Sequence, residues 1–177
     1  MRIIAGRHRG RVLTSPTWPG LRPTSDRVRE TLFNILAPRV PGARVLDVCA
    51  GTGAVALEAI SRGAASAICI ESNRRAQALI ATNRDTLGEE ARCMILPGDA
   101  LQMLQGALAG GPFDVIFLDP PYDMPALDQL VDAATQHLAP EGILVIEHAS
   151  RRTSPLRKGL PPTRTVRAGD STLAFYS

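Results

Sequence analysis

Asp119, Pro120, Pro121 and Tyr122 follow the apolar run Val115, Ile116, Phe117, Leu118. A strand therefore delivers a carboxylate, two prolines and an aromatic ring to its own carboxyl end. Proline cannot continue a ladder, because it lacks the N–H and fixes φ. The tetrapeptide makes a stiff lip at the sheet edge where open α/β folds bind ligands. It offers oxygen acceptors, from the Asp119 side chain and the Pro120 carbonyl, beside a flat stacking face. Such a lip suits a planar group carrying an NH2, for example a nucleobase amine. Taken alone, it is equally a proline turn that ends a strand.

A second motif lies upstream. Val45, Leu46, Asp47 and Val48 run through Cys49 and Ala50 into Gly51, Thr52 and Gly53. A helical pattern follows in Val55, Leu57, Ala59 and Ile60. The glycines permit a tight turn and close approach of backbone to a ligand. The helix start aims N–H groups at that ligand. The nicotinamide fingerprint G-x-G-x-x-G is incomplete, since position 56 is alanine, and the acid Asp47 repels a pyrophosphate. The loop favours a ligand carrying a cation, such as the ammonium of a methionine moiety.

Two further acids follow strands. Glu71 ends the run 67–70, twenty residues beyond Gly51, where a carboxylate can accept both ribose hydroxyls of an adenosine. Asp99 follows the run 93–96, where it can cap the next helix and accept an adenine amino group. Singly, each has a plain reading: a solvated acid at a helix start for Glu71, an N-cap for Asp99. Together, Asp47, Glu71, Asp99 and Asp119 are expected to point into one crevice along a parallel sheet edge.

The elements that position these residues alternate. Strands are predicted over 44–48, 66–70, 92–96, 113–118 and 142–147, with helices over 54–62, 73–86, 100–108 and 125–138 between them. That alternation implies a mostly parallel central sheet with helices on both faces, an α/β fold. Ahead of it, 2–5 and 11–13 form a short hairpin, 14–24 a proline-rich loop with Trp18, and 26–36 a helix. The apolar face of that helix is Val28, Leu32, Ile35 and Leu36. Residues 163–167 and 172–176 form a terminal hairpin closing the sheet. The whole is read as a single domain over 1–177, with a basic hairpin and loop over 1–24 and the core over 25–177.

Charge is divided along the chain. Residues 1–44 carry nine arginines against Asp26 and Glu30, a net +7. Residues 151–177 carry a net +5, and the middle a net −9. Lys158 is the only lysine, and arginine forks suit phosphate contacts and base stacking. The ends read as a polyanion clamp around an acid-lined site, against the plainer readings of a solvated basic surface or a bias toward arginine codons. No apolar run reaches the length of a membrane span, and no signal-peptide core follows the basic start, so a cytoplasmic protein is expected. Cys49, Cys69 and Cys93 are too scattered for a zinc cluster and read as buried free thiols. His8 could touch RNA; His137 and His148 lie outside the motifs.

The motifs resemble those of Rossmann-like class I S-adenosylmethionine-dependent methyltransferases. The amino end narrows the resemblance. Met1 to Gly6, then Arg9 to Arg11, then Arg22 to Asn34, and Leu57 to Ala64, are similar to the RsmD family, which methylates the exocyclic N2 amine of a guanine in small-subunit (16S) ribosomal RNA. The resemblance implies S-adenosylmethionine as cofactor, S-adenosylhomocysteine as product, and no metal. It assigns cofactor contacts to Asp47, Ala50, Gly51, Thr52, Gly53, Glu71, Ser72, Asp99 and Ala100. Asp47 is expected near the methionine amine, directly or through water, and the N–H groups of 51–53 near its carboxylate. Asp119, Pro120, Pro121 and Tyr122 are expected to act on the base amine. Arg7, Arg9, Arg11, Arg22, Arg27 and Arg29 are expected to hold RNA, and Thr24 to lie at the methionine end or the RNA backbone. Arg27 and Arg29 also fit a solvated helix face, and Glu147 is a further candidate pocket acid. The partner implied is 16S rRNA or the assembling small subunit, and a monomer is the simplest expectation. Two rivals remain at this point: an amino-methyltransferase acting on DNA adenine or protein glutamine, and an RNA-binding module without catalysis.

Overall fold

The computed structural model describes residues 1–177 apart from Arg22, Tyr122 and Ala126. Seven strands form one sheet: β1 (Arg44–Val48), β2 (Ser66–Glu71), β3 (Cys93–Pro97), β4 (Phe113–Leu118), β5 (Leu138–Ala149), β6 (Arg164–Ala168) and β7 (Ser171–Tyr176). Their order is β3-β2-β1-β4-β5-β7-β6. The first five pair in parallel, and β7 adds antiparallel to both β5 and β6. The central strands are apolar almost throughout because both faces are covered. One layer holds Val45, Cys69, Phe117 and Val145; the other holds Leu46, Ile70, Leu118 and Ile146.

Helices α1 (Asp26–Leu36), α2 (Ala54–Ser61), α3 (Arg74–Leu87), α4 (Ala100–Gln105) and α5 (Leu127–Thr135) connect the strands. Their starts follow capping chemistry: Ser25, Asn73 and Asp99 each accept a backbone N–H of the turn they open. Helix α2 lacks such a cap, since Gly53 stands at its N-cap with φ +73°. Asp47 supplies the missing acceptor from β1, its Oδ2 lying 3.1 Å from Ala56 N. A Cβ at Gly53 would sit 2.9 Å from Ile80 Cγ2, so both backbone and packing demand glycine there.

Two helices end three residues short of the sequence expectation. Helix α4 stops at Gln105, because Gly106 is extended and leaves the helix. Helix α5 stops at Thr135, and Leu138 opens β5 by pairing with Phe113. A register shift follows between Phe113 and Val115, which accommodates Pro140 within the strand.

The amino-terminal hairpin is narrower than its predicted arms, with one bridge between Arg2 and Val12. It is nevertheless firmly held. Every residue of α2 is buried, including Glu58. Glu58 accepts from Ile4 N (2.8 Å), Ala5 N (3.0 Å), Arg62 Nε (2.7 Å) and Arg29 Nη1 (3.4 Å). Gly6 passes so close that a Cβ would fall 1.9 Å from Ser61 O. A buried acid thus pins the hairpin to the core, satisfying donors that would otherwise be stranded.

Candidate active site

The chain changes direction across the sheet between β1 and β4, the place where doubly wound sheets open a crevice at their carboxyl edge. A cavity of about 630 Å³ lies there. The strand ends are level: Val48 pairs with Ile70 and Leu118, and Leu118 with Ile146. Glu71, Asp119 and Glu147, each one residue further on, therefore emerge side by side. All three line the cavity, with Asp99, Ala100, Ala50, Gly51, Thr52, Ser72, Pro120 and Pro121. Tyr122 and Arg22 lie outside the described residues.

Glu71 is 7% exposed and firmly oriented. Gly51 N donates to its Oε2 and Asn73 N to its Oε1, each at 2.8 Å. The carboxylate thereby bridges the glycine loop to the start of α3. Asp99 both lines the cavity and caps α4, accepting from Gln102 N at 3.0 Å. The two readings of Asp99 are compatible. Asp119 accepts from Thr24 Oγ1 at 3.0 Å, so the segment before α1 reaches the lip directly.

Three sequence expectations need correction. Asp47 is not among the lining residues; it is 1% exposed and covered by the start of α2. Its register explains why. Asp47 pairs with Cys69 and Phe117, two residues short of Glu71 and Asp119, and so lies roughly 7 Å deeper. Cys49, at φ +61°, turns the chain off the sheet before an acid on β1 could reach the edge. Gly53 is likewise absent from the lining; Gly53 N donates to Ala50 O and Gly51 N to Glu71. Those two N–H groups are committed within the loop and do not face a ligand carboxylate. Arg29 is the third correction. It is fully buried, paired with Glu58 and Asp26 and donating to Arg2 O, so it is neither solvated nor open to RNA.

Glu71, Asp99, Asp119 and Glu147 make the cavity wall acidic. The Cys49 thiol is pushed up to about 12, first by burial and then by Glu71, Asp119, Asp47 and Asp99. All four acids named from sequence therefore act on one point, although only three line the wall. Burial also raises Asp47 to about 8, against the lowering effect of its bond from Ala56 N. A carboxyl whose folded pKa exceeds its ordinary 3.8 binds its proton more tightly when folded. Its contribution to stability is complete below about 3.8 and is lost as pH rises through about 8. Asp47→Asn keeps an acceptor for Ala56 N and cannot ionise. Denaturant unfolding at about pH 5 and about pH 8.5 should show the unaltered chain losing a few kcal/mol more than the variant, on the order set by the shift.

The cavity also recruits residues that sequence motifs did not mark. Trp18, Leu21, Met124 and Ser171 line it. A lone tryptophan among prolines in a basic loop was the one available signal; Ser171 gave none. The predicted RNA contacts separate as well. Arg9, Arg11 and Arg27 are exposed, with Arg11 donating to Thr86 O at 2.7 Å. Arg7 and His8 are both held by Glu89, which also pairs with Arg92.

A model of the family described as "Conserved hypothetical protein 95" matches residues 1–177. The chain is 40% identical over 163 residues to Ribosomal RNA small subunit methyltransferase D of Escherichia coli (strain K12), spanning 91% of this chain and 78% of that one. This chain belongs to the RsmD family. A hypothetical protein of Thermus thermophilus shares the fold of this RsmD-family chain with a TM-score of 0.85 at 30% identity, over 100% of this chain and 99% of that one. The protein SMU.776, solved complexed with SAH, matches with a TM-score of 0.68 at 14% identity, over 83% of this chain and 48% of that one. That likeness is one of fold. Together with the sheet order, these matches make the RsmD-family architecture a Rossmann-like class I methyltransferase fold.

Proposed function

We propose that the chain transfers a methyl group from S-adenosylmethionine to the exocyclic N2 amine of a guanine in small-subunit ribosomal RNA. One observation carries this reading: the Asp119, Pro120, Pro121 lip and the acids Glu71 and Asp99 line a single cavity with the glycine loop. The E. coli relative, named for methylation of small-subunit rRNA, supports the reaction class and the nucleic acid. The guanine N2 position rests on the lip's fit to a planar amine and on the family resemblance.

The residues fit the cofactor. The cavity volume is that of a ligand pocket, and its negative field suits a molecule bearing a sulfonium and an ammonium. Glu71 would hold the ribose, since each oxygen keeps a second lone pair beyond its backbone bond. Asp99 and Ala100 would flank the adenine, Ser72 would lie beside the ribose acid, and Ala50, Gly51 and Thr52 would wall the methionine end. Asp47 contributes by capping α2, without direct contact. When bound, the cofactor supplies a methyl on a good leaving group. The amine of guanine is a weak nucleophile, because its lone pair is delocalised into the ring. Asp119 and the Pro120 carbonyl would accept its N–H groups, draw the nitrogen toward tetrahedral geometry and stabilise the charge that grows on it. A base must leave its stack to reach this cleft.

Transfer of labelled methyl to isolated small subunits, naked rRNA and duplex DNA tests the proposal. Incorporation into one of the rRNA substrates and none into DNA is expected; preferential labelling of DNA would overturn it. Arg9 and Arg11 supply a second check. Replacing both by alanine should weaken RNA binding and flatten its dependence on salt by about 0.7 per lost phosphate contact. A slope equal to that of the unaltered chain would remove these two residues from the interface.

A further inference from the structure

The described residues of the 18–25 segment line the cavity together with the sheet edge. This strap is fixed at both ends. Upstream, Leu13 is buried, and Thr14 exchanges two hydrogen bonds with the fully buried Asn83, at 2.7 and 3.2 Å. Asn83 also donates to Thr52 O at 3.1 Å, tying the strap's root to the glycine loop. Downstream, the Ser25 hydroxyl caps α1 by accepting from Val28 N at 3.2 Å. Pro16, Pro19 and Pro23 restrict the backbone between these anchors. Midway, the Leu21 side chain lies against Gly51. Thr24 is therefore delivered to a fixed place, one residue before a helix cap, on a β-branched side chain with few rotamers.

From that place its hydroxyl donates to Asp119 Oδ2 at 3.0 Å, across 95 residues of sequence. We propose that Thr24 is a positioning residue that orients the Asp119 carboxylate toward the reacting amine. The inference rests on the role proposed above for Asp119. A carboxylate meets an amine only with χ1 and χ2 set so that a lone pair faces the N–H. A donor on one oxygen selects the rotamer in which the carboxylate meets the substrate. Misorientation of this kind acts on the chemical step more than on binding, because the cofactor and RNA contacts proposed above belong to other residues. A purely structural role predicts something different: loss of the bond would loosen the strap, weaken cofactor binding and lower thermal stability.

Thr24→Val is nearly isosteric and removes the donor. Thr24→Ser keeps the donor and removes the methyl. With isolated small subunits as substrate, Thr24→Val should lower kcat by on the order of 10- to 100-fold, the loss associated with a hydrogen bond to a charged group. Its KM and its calorimetric affinity for S-adenosylmethionine should stay within about 2-fold. Thr24→Ser should recover most of kcat. Thr24→Val in an Asp119→Ala background should cause no further loss. An unchanged kcat in Thr24→Val, equal impairment of Thr24→Val and Thr24→Ser, or a change confined to KM and cofactor affinity would each overturn the inference. The two readings fail separately. An inactive Asp119→Ala beside a fully active Thr24→Val removes only the role of Thr24; a fully active Asp119→Ala removes the role of Asp119 and, with it, this one.

Discussion

Asp119→Ala should bind S-adenosylmethionine almost as well as the unaltered chain and transfer methyl about 10³-fold more slowly, at the upper end of losses seen when a preorganised electrostatic group is removed. The split follows from the geometry. The groups proposed to hold the cofactor are Glu71, fixed by Gly51 N and Asn73 N, and Asp99, fixed at the cap of α4. None of those bonds passes through Asp119. The charge of Asp119 does contribute to the negative field felt at Cys49, but Glu71 and Asp99 act there too, so its removal leaves much of the attraction for a cationic ligand. Calorimetry with the cofactor and single-turnover transfer on the same preparation separate the two effects. An equal loss in both would make Asp119 a cofactor ligand and deprive the lip of its chemical role.

The second large effect concerns the fold. Glu58→Ala should destabilise the chain by about 3–5 kcal/mol, the cost of breaking a buried charge network by removing one partner. Glu58 is inaccessible to solvent, and so is Arg29. Without the carboxylate, Ile4 N and Ala5 N lose their acceptor and the Arg29 guanidinium is left with Asp26 and Arg2 O among the described residues. For a chain of this size the melting temperature should fall by roughly 6–20 °C. A double variant, Arg29→Met with Glu58→Met, should lose less than the sum of the single variants, because no unpaired charge remains inside. Additive losses would show that the two residues do not act as a pair. The hairpin carrying Arg7, Arg9 and Arg11 hangs on this network, so hydrogen exchange in residues 3–13 should rise in Glu58→Ala before it rises in the central strands.

The fold was legible because each core strand is a short apolar run bounded by turn chemistry, and each helix shows its cap and period. Boundaries failed where tertiary pairing overrode local pattern. Leu138 continues the apolar face of α5 in sequence, yet Phe113 draws it into β5. At the site, the acids on β2, after β3 and after β4 were found at the edge, since one residue past a strand is easily counted. Asp47 was placed too high because register between strands is invisible in a single sequence. Only pairing shows that it stands level with Cys69. Arg29 was misread for a related reason. Beside Arg27 on α1 it resembles a solvated charge, and its burial depends on a partner 29 positions away. A clue was present: Glu58 is the single acid in the otherwise apolar run of α2, and a buried acid requires a cation. Thr24 was singled out within the Arg22 to Asn34 segment, but its contact with Asp119 joins residues 95 positions apart and has no local signature.

The claim that a base amine is methylated in this acid-lined cleft is tested most directly by the identity of the modified nucleoside. Small subunits incubated with the protein and S-adenosylmethionine are digested, and the nucleosides separated and identified by mass spectrometry. One methyl group on the exocyclic N2 of guanosine is the predicted product. A methyl on a ring nitrogen, on a ribose oxygen or on adenosine would contradict the account.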